Sequence, residues 1–161
     1  MDRRGRGVAG LSLVASAGIL GAYVGYPGLR KAHAATTCQV TSSGDNATAP
    51  YTSGELRYCL DQVNASGGGT ITFAESANGV INLTSDLPQL TLTSSVTVTG
   101  NGEDFTIIDG GASHGGFFFT GSGDATLTGI TIQNASRNDK GGALYSTAGD
   151  VSVQDSAFTG N

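Results

Sequence analysis

Charged residues and tryptophan are scarce in this sequence. Only 13% of the 161 residues are charged, aromatic residues make up 7%, and tryptophan is absent. There is no G-x-x-x-x-G-K-[ST] motif, which excludes a P-loop phosphate site. Five of the eight basic residues fall within the first 34 positions, so the remainder carries three bases against twelve acids, a formal charge of −9. Nucleic-acid binding requires clustered Lys and Arg, so the composition excludes that class of function.

The first 34 residues are predicted to be a signal peptide. Three arginines precede an uncharged run over residues 8–29, and an A-x-A site places signal cleavage between Ala34 and Ala35. The alternative is an uncleaved anchor, because a run of this length is able to span a bilayer. Pro27 breaks the helix just before the site and favours cleavage. Either way, the segment predicts export.

Residues 35–69 are predicted to form an N-terminal cap segment around one amphipathic helix, residues 53–64. Thr52 and Glu55 have the spacing of a capping box. Four apolar residues then recur at helical spacing and form a single stripe: Leu56, Cys59, Leu60 and Val63. A solenoid needs a cover for its first coil, so we expect this helix to be a lid. The alternative is a helix packed on the flank of a β-sandwich.

The sequence contains two cysteines, Cys38 and Cys59. An even pair in an exported chain indicates one disulfide, here joining the segment before the helix to the helix itself. The alternative is that Cys59 is a free, buried, small apolar residue.

From Thr70 to Asn161 the sequence predicts a succession of short strands. Glycine is abundant, with 26 residues, and apolar residues alternate with Thr between Gly and Asn turns. A sandwich of hairpins and a coil of parallel strands both accept this pattern. The pattern of Leu127 and Ile132 recurs 26 positions later as Val153 and Phe158, which is the length of one solenoid turn. The repeat therefore favours the coil.

An earlier repeat has a longer spacing. Val96 and Val98 match Ile130 and Ile132, so we expect that turn to carry an insertion, the Gly-rich residues 110–116. Asn residues that end strands are expected either to stack as a ladder along the coil or to act as separate turn residues. They are Asn101, Asn134 and Asn161.

Two stretches resemble bacterial surface β-helix proteins. Leu56-Arg57 followed by Gly68-Gly69-Thr70-Ile71-x-Phe73 is similar to the leader of these proteins. A second set resembles the GGA[I/L/V]…FxxN repeat of the polymorphic outer-membrane protein family: Gly141, Gly142, Ala143, Leu144, Phe158 and Asn161. The resemblance implies an all-β, right-handed parallel β-helix of pectin-lyase-like type over residues 70–161. It also implies an N-terminal fragment of a longer bacterial protein, secreted or exposed at the outer membrane.

The same fold class includes polysaccharide lyases and hydrolases, so the carboxylates need scrutiny. Glu103, Asp104 and Asp109 are candidate acid/base groups only by proximity, and His114 lies in a Gly-rich loop typical of exposed residues. Three further carboxylates are candidates for a weak calcium site between loops: Asp139, Asp150 and Asp155. The motifs of polygalacturonases are missing, so we assign no catalytic, metal or cofactor residue.

The sequence thus predicts an exported, adhesin-like or structural β-helix without catalysis of its own. The expected partner is a surface carbohydrate or protein. Membrane contact is expected only through an uncleaved signal or a missing C-terminal anchor. The alternative function is the leading fragment of a pectin-lyase-like polysaccharide lyase or glycoside hydrolase.

Overall fold

The computed structural model describes residues 35–161. The predicted signal peptide, residues 1–34, lies outside the described residues, and so does Ala34 of the predicted cleavage site. From Ala35 onward the chain forms short strands, one α-helix α1 (Leu56–Ser66) and a short 3-10 helix (Glu75–Ala77). The strands, in chain order, are β1 (Thr36–Val40), β2 (Gly69–Phe73), β3 (Gly79–Asn82), β4 (Gln89–Leu92), β5 (Val96–Thr99), β6 (Thr106–Asp109), β7 (Phe117–Gly121), β8 (Ala125–Thr128), β9 (Thr131–Gln133), β10 (Leu144–Ser146), β11 (Val151–Gln154) and β12 (Ala157–Thr159).

The strands stack into three parallel sheets, which together form a β-solenoid of about three turns. Sheet A has the order β1-β2-β5-β8-β11, sheet B has the order β12-β9-β6-β3, and sheet C has the order β10-β7-β4. Every strand pair among residues 35–161 is parallel. The predicted coil of parallel strands is therefore confirmed, and the hairpin alternative is wrong.

The register confirms the 26-residue repeat. Val153 lies beside Leu127 in sheet A, and Phe158 lies beside Ile132 in sheet B. The longer repeat is wrong, because Val98 also pairs with Leu127 rather than with Ile132. Both β8 and β9 carry apolar residues next to Thr, so the sequence offered β5 two similar partners, and only β8 continues sheet A.

Coil length varies both in the turns from sheet A to sheet B, residues 74–78, 100–105, 129–130 and 155–156, and in the loops that connect sheet B to sheet C. These loops are residues 83–88, 110–116 and 134–143. The predicted insertion, residues 110–116, does lie in such a loop, but the following loop is longer. The variation in coil length therefore falls outside the strands.

The interior is a column of aliphatic and aromatic residues. Alternate residues of each strand point inward and stack on their neighbours, as period-two alternation requires. In sheet A, Ile71, Val98 and Leu127 are fully buried and occupy equivalent positions on successive coils. In sheet B, Ile108 and Ile132 do the same. This column provides the hydrophobic stabilisation of the fold.

The helix α1 covers the first coil, as predicted. Its stripe is fully buried: Leu56, Cys59, Leu60 and Val63. It packs on strands of two sheets, β1 and β2 of sheet A and β4 of sheet C, so it closes the end of the solenoid. The predicted start at residue 53 is wrong: the helix begins at Leu56, and Glu55 is its N-cap residue without a side-chain capping bond. The Glu55 carboxylate instead accepts a hydrogen bond from the backbone N–H of Asn46, at 2.8 Å.

A disulfide and a buried ion pair fasten this cap. Cys38 of β1 is bonded to Cys59 of α1, which confirms the predicted pairing. The Arg57 guanidinium binds both carboxylate oxygens of Asp45, at 2.6 and 2.9 Å, and the two side chains are 2% and 1% exposed. Arg57 also donates to the backbone carbonyls of Ser85 and Asp86. The cap is thereby joined to the loop of the first full coil.

The residues of the predicted repeat motif join neighbouring coils. The carbonyl of Gly142 accepts a hydrogen bond from the N–H of Gly116, at 2.8 Å, and a Cβ on Gly142 would collide with the carbonyl of Ala135. The Asn161 side chain donates to the carbonyl of Ile132, at 2.9 Å, and accepts from the N–H of Ala135, at 2.7 Å. Leu144 and Phe158 pair with Phe117 and Ile132 within sheets C and B. The motif therefore has a structural role.

The asparagine ladder does not form. Asn101 donates to the side chain of Asn78, at 2.6 Å, whereas Asn134 donates to Asp109. Asn161 bonds to backbone groups. The structure therefore supports the alternative prediction, in which these asparagines act as separate turn residues.

Candidate functional site

Sheet A presents a regular outer surface in which seven of the ten residues are threonine. In β2, β5 and β8 the sequence runs Thr-apolar-Thr, so one apolar residue points into the core while its two flanking threonines point outward. The in-register parallel pairing aligns these residues into two rows. We call this surface the threonine face, and it comprises Thr37, Thr70, Thr97, Thr126 and Ser152 in one row and Gln39, Thr72, Thr99, Thr128 and Gln154 in the other.

The threonine face is polar but uncharged. The six central threonines are half-buried, because neighbouring side chains cover each other's flanks, and the four residues on the outer strands are exposed. Within residues 35–161, the only hydrogen bond between side chains of this face joins Gln154 Nε2 to Ser152 Oγ, at 3.3 Å. The described residues therefore leave the hydrogen-bonding capacity of these threonine hydroxyls unused.

The backbone fixes the spacing of this array. Adjacent strands in a sheet lie about 4.8 Å apart, and residues i and i+2 of one strand lie about 6.6 Å apart. The β-branched Thr side chain has few χ1 rotamers, so its hydroxyl and methyl groups are held in place. The result is a rigid two-dimensional grid of hydroxyl and methyl groups.

The outer face of sheet C has a different character. Phe118 and Tyr145 occupy paired positions and meet edge to face, with ring centroids 5.2 Å apart. Lys140 Nζ lies 5.0 Å from the centroid of Phe118, and the Arg137 guanidinium lies 5.6 Å from it. These cations cover the rings, which makes this face irregular and charged.

A polar cleft opens among the loops between sheets B and C. Its volume is 370 Å³, and it is lined by Asp86, Ala112, Ser113, Ser136, Arg137, Asn138 and Asp139. Arg137 lies 3.6 Å from the Asp86 carboxylate and donates to the carbonyls of Leu87 and Gly116. Lys140 is paired with Asp139, at 2.7 Å. The charged groups of the cleft are thus already engaged in holding the loops together.

Among the predicted candidates, Asp109 is the carboxylate that accepts the most hydrogen bonds within the described residues. It accepts hydrogen bonds from Gln133 Nε2, at 2.6 Å, from the N–H of Gly111, at 2.8 Å, and from Asn134 Nδ2. The bond from Gln133, followed by the bond from Gly111, lowers the pKa of Asp109 below its ordinary value. A carboxylate held ionised in this way is suited to organise a turn rather than to donate a proton.

The structure does not bring the other predicted carboxylates together with Asp109. Glu103 and Asp104 lie in the turn between β5 and β6, around an open cavity of 530 Å³ whose rim includes Phe105 (56% exposed) and Asp155. Asp109 lies at the opposite end of β6. Among the described residues, His114 makes backbone hydrogen bonds only: its N–H donates to the carbonyl of Gly110, and its carbonyl accepts from the N–H of Ser136.

The proposed calcium ligands are also separate. Asp139 lies in the loop before β10, Asp150 directly precedes β11, and Asp155 lies in the turn between β11 and β12. Within residues 35–161, no group of three or more His, Cys, Asp or Glu residues is placed to hold a metal ion.

Comparisons with models of protein families, with curated proteins and with solved structures found no match to this chain. The fold and the threonine face together define a class: a parallel β-solenoid with one regular, uncharged outer face. No helix within the described residues is long and apolar enough to cross a membrane. The Cys38–Cys59 disulfide is typical of proteins that fold in an oxidising compartment.

The alternation of threonine with apolar residues predicts strands, but it does not predict that the threonines form a site. The missing step was the register: Thr-x-Thr occurs at 70/72, 97/99 and 126/128, and only the pairing of β2, β5 and β8 shows that these pairs are aligned. The buried ion pair of Arg57 and Asp45 was also missed. The one available signal was a lone Arg beside the apolar stripe of a helix, which ordinarily indicates an exposed residue.

Proposed function

We propose that this chain is an exported, non-catalytic binding module that attaches to an extended, ordered surface through the threonine face. The observation that carries this proposal is the grid itself: ten uncharged side chains in two rows on one rigid sheet. A regular grid has no pocket in which a small substrate is surrounded, so it suits a repetitive partner that contacts many positions at once.

Export is part of the proposal. The disulfide and the N-terminal sequence pattern both support a secreted or cell-surface location. The Gly141–Gly142 and Asn161 contacts between coils support a β-helix of the polymorphic outer-membrane repeat type, displayed by a bacterium. In such a setting the threonine face is the adhesive surface, and the charged loops elsewhere maintain solubility.

A substitution at the centre of the grid tests this function. Thr97→Lys places a long charged side chain between the neighbouring threonines of β2 and β8. The matched control is Thr91→Lys, which makes the same change at an exposed outward position of β4 in sheet C. The measurement is co-sedimentation of the purified proteins with microcrystalline cellulose, crystalline chitin and ice.

The proposal requires that the native protein adsorb to at least one of these solids and that Thr97→Lys, but not Thr91→Lys, weaken adsorption. Equal adsorption of the native protein and Thr97→Lys to every solid, or no adsorption at all, refutes it. Incubation with polygalacturonate provides an independent check. Release of unsaturated or reducing ends would instead favour the polysaccharide lyase or hydrolase alternative.

A further inference from the structure

We propose that the ordered surface bound by the threonine face is ice. This inference rests on the proposed function, since it names the partner of the same face. It draws on three properties of the face: its two repeat distances, its chemistry and its rigidity.

The first property is the repeat. The rows of the threonine face run perpendicular to the strands, with a step of about 4.8 Å, and the two rows lie about 6.6 Å apart. The prism faces of hexagonal ice also present rows of oxygen atoms with a short and a long repeat. The short repeat is slightly smaller than the step between coils, and the long repeat is larger than the separation of the two rows. Over the few coils of this sheet, each row of hydroxyls therefore runs beside a row of lattice waters with a small accumulated mismatch.

The second property is the chemistry of threonine. Each side chain offers one hydroxyl, which both donates and accepts hydrogen bonds as a lattice water does, and one methyl group. An array of methyl groups orders the water above it, whereas charged side chains bind water in a geometry set by the ion. The face carries no charged residue, although residues 35–161 include twelve acids and three bases. The exclusion of charge from one face is what an ice-binding surface needs.

The third property is rigidity. Sheet A has five strands, and β1 at its end is fixed by the disulfide from Cys38 to Cys59. The threonine hydroxyls of this face make no hydrogen bonds with other side chains of residues 35–161, and Thr has few rotamers. Binding to a crystal lattice thus requires little ordering of the face, which lowers the entropic cost. Weak contacts at ten positions then act together as one multivalent interaction.

The measurements are ice-affinity partitioning and inhibition of ice recrystallisation, made with the exported protein at equal concentrations. The native protein is expected to be enriched in slowly grown ice and to keep ice grains small. Thr97→Lys interrupts one row at its central strand, so we expect enrichment to fall by about tenfold or more. Thr97→Val keeps the shape and the methyl group and is expected to retain more activity than Thr97→Lys. Thr91→Lys on sheet C is the control and should behave as native.

Circular dichroism of each variant at the working temperature shows that the fold is retained. The ice inference is wrong if the native protein is no more enriched in ice than serum albumin. It is also wrong if the native protein and Thr97→Lys are enriched equally. If the native protein instead binds cellulose or chitin, and Thr97→Lys weakens that binding, ice is the wrong partner while the proposed binding function stands. The two failures are therefore distinguishable.

Discussion

Replacing Asp45 by Asn is expected to destabilise the protein strongly, because it leaves the Arg57 guanidinium buried without a counter-charge. Asp45 accepts two hydrogen bonds from Arg57 and also two from Thr84, through its N–H at 2.7 Å and its hydroxyl at 2.9 Å. Both side chains of the ion pair are almost fully inaccessible to solvent. Breaking a buried ion pair by removing one partner costs about 3–5 kcal/mol.

The expected loss in melting temperature follows from this magnitude. A domain of this size loses about 4 °C per kcal/mol, so Asp45→Asn should melt about 12–20 °C below the native protein. Arg57→Met made in the Asp45→Asn background is expected to cost much less than in the native background, because the charge it removes has already lost its partner. Thermal and urea unfolding followed by circular dichroism measure both quantities.

Asp139→Asn is the matched control for this experiment. It breaks the ion pair with Lys140, in which the Asp139 side chain is 69% exposed. Exposed ion pairs contribute little to stability because solvent screens them, so the control should melt within a few degrees of the native protein. If Asp45→Asn is no more destabilising than Asp139→Asn, then Arg57 is solvated and the cap does not pack on the first coil as described.

Two further predictions concern the cap and the turn at Asp109. Replacing Cys38 and Cys59 together by Ala should lower the free energy of unfolding by about 3 kcal/mol, the chain-entropy value for a loop of this length. The urea midpoint measures it, and a midpoint equal to that of the oxidised native protein would contradict the reasoning. The lowered pKa of Asp109 means that its hydrogen bonds stabilise the fold above the unfolded pKa, about 3.9, and that this stability is lost as the pH falls through the lower folded value. Asp109→Asn should therefore lower stability at pH 7 and flatten its decline between about pH 5 and pH 2. Thermal melting across that range tests this, and parallel native and variant curves would refute it.

The sequence was sufficient to predict the coil, the cap helix and the disulfide. These features are local or periodic: alternation predicts strands, a helical stripe predicts α1, and an even pair of cysteines after a predicted signal peptide predicts a disulfide. It was not sufficient to predict which strand follows which in a sheet. Val98 had two plausible neighbours, Leu127 and Ile132, and only the closure of the coil around its core decides between them.

The same limit explains why the threonine face was missed. A Thr that alternates with Val or Ile is the expected solvent-facing residue of any strand, so Thr70, Thr97 and Thr126 have no individual signal. Their significance arises only when the register places them side by side. The buried Arg57 was missed for a related reason, since its partner Asp45 lies in an irregular segment before the helix, where sequence periodicity gives no position.

The cap and the threonine face are physically connected through β1. This strand contributes Thr37 and Gln39 to the face, and Cys38, between them, points inward to the disulfide with α1. Variation in coil length falls in the turns and loops outside the strands, and the five strands of sheet A remain paired along the solenoid. Because Thr97 lies two strands from β1, weakening the cap by Asp45→Asn should disturb the residues of the face on β1 before those on the central strands. Surface binding by that variant should therefore persist below its melting temperature, whereas Thr97→Lys is expected to weaken binding at temperatures at which circular dichroism shows it folded.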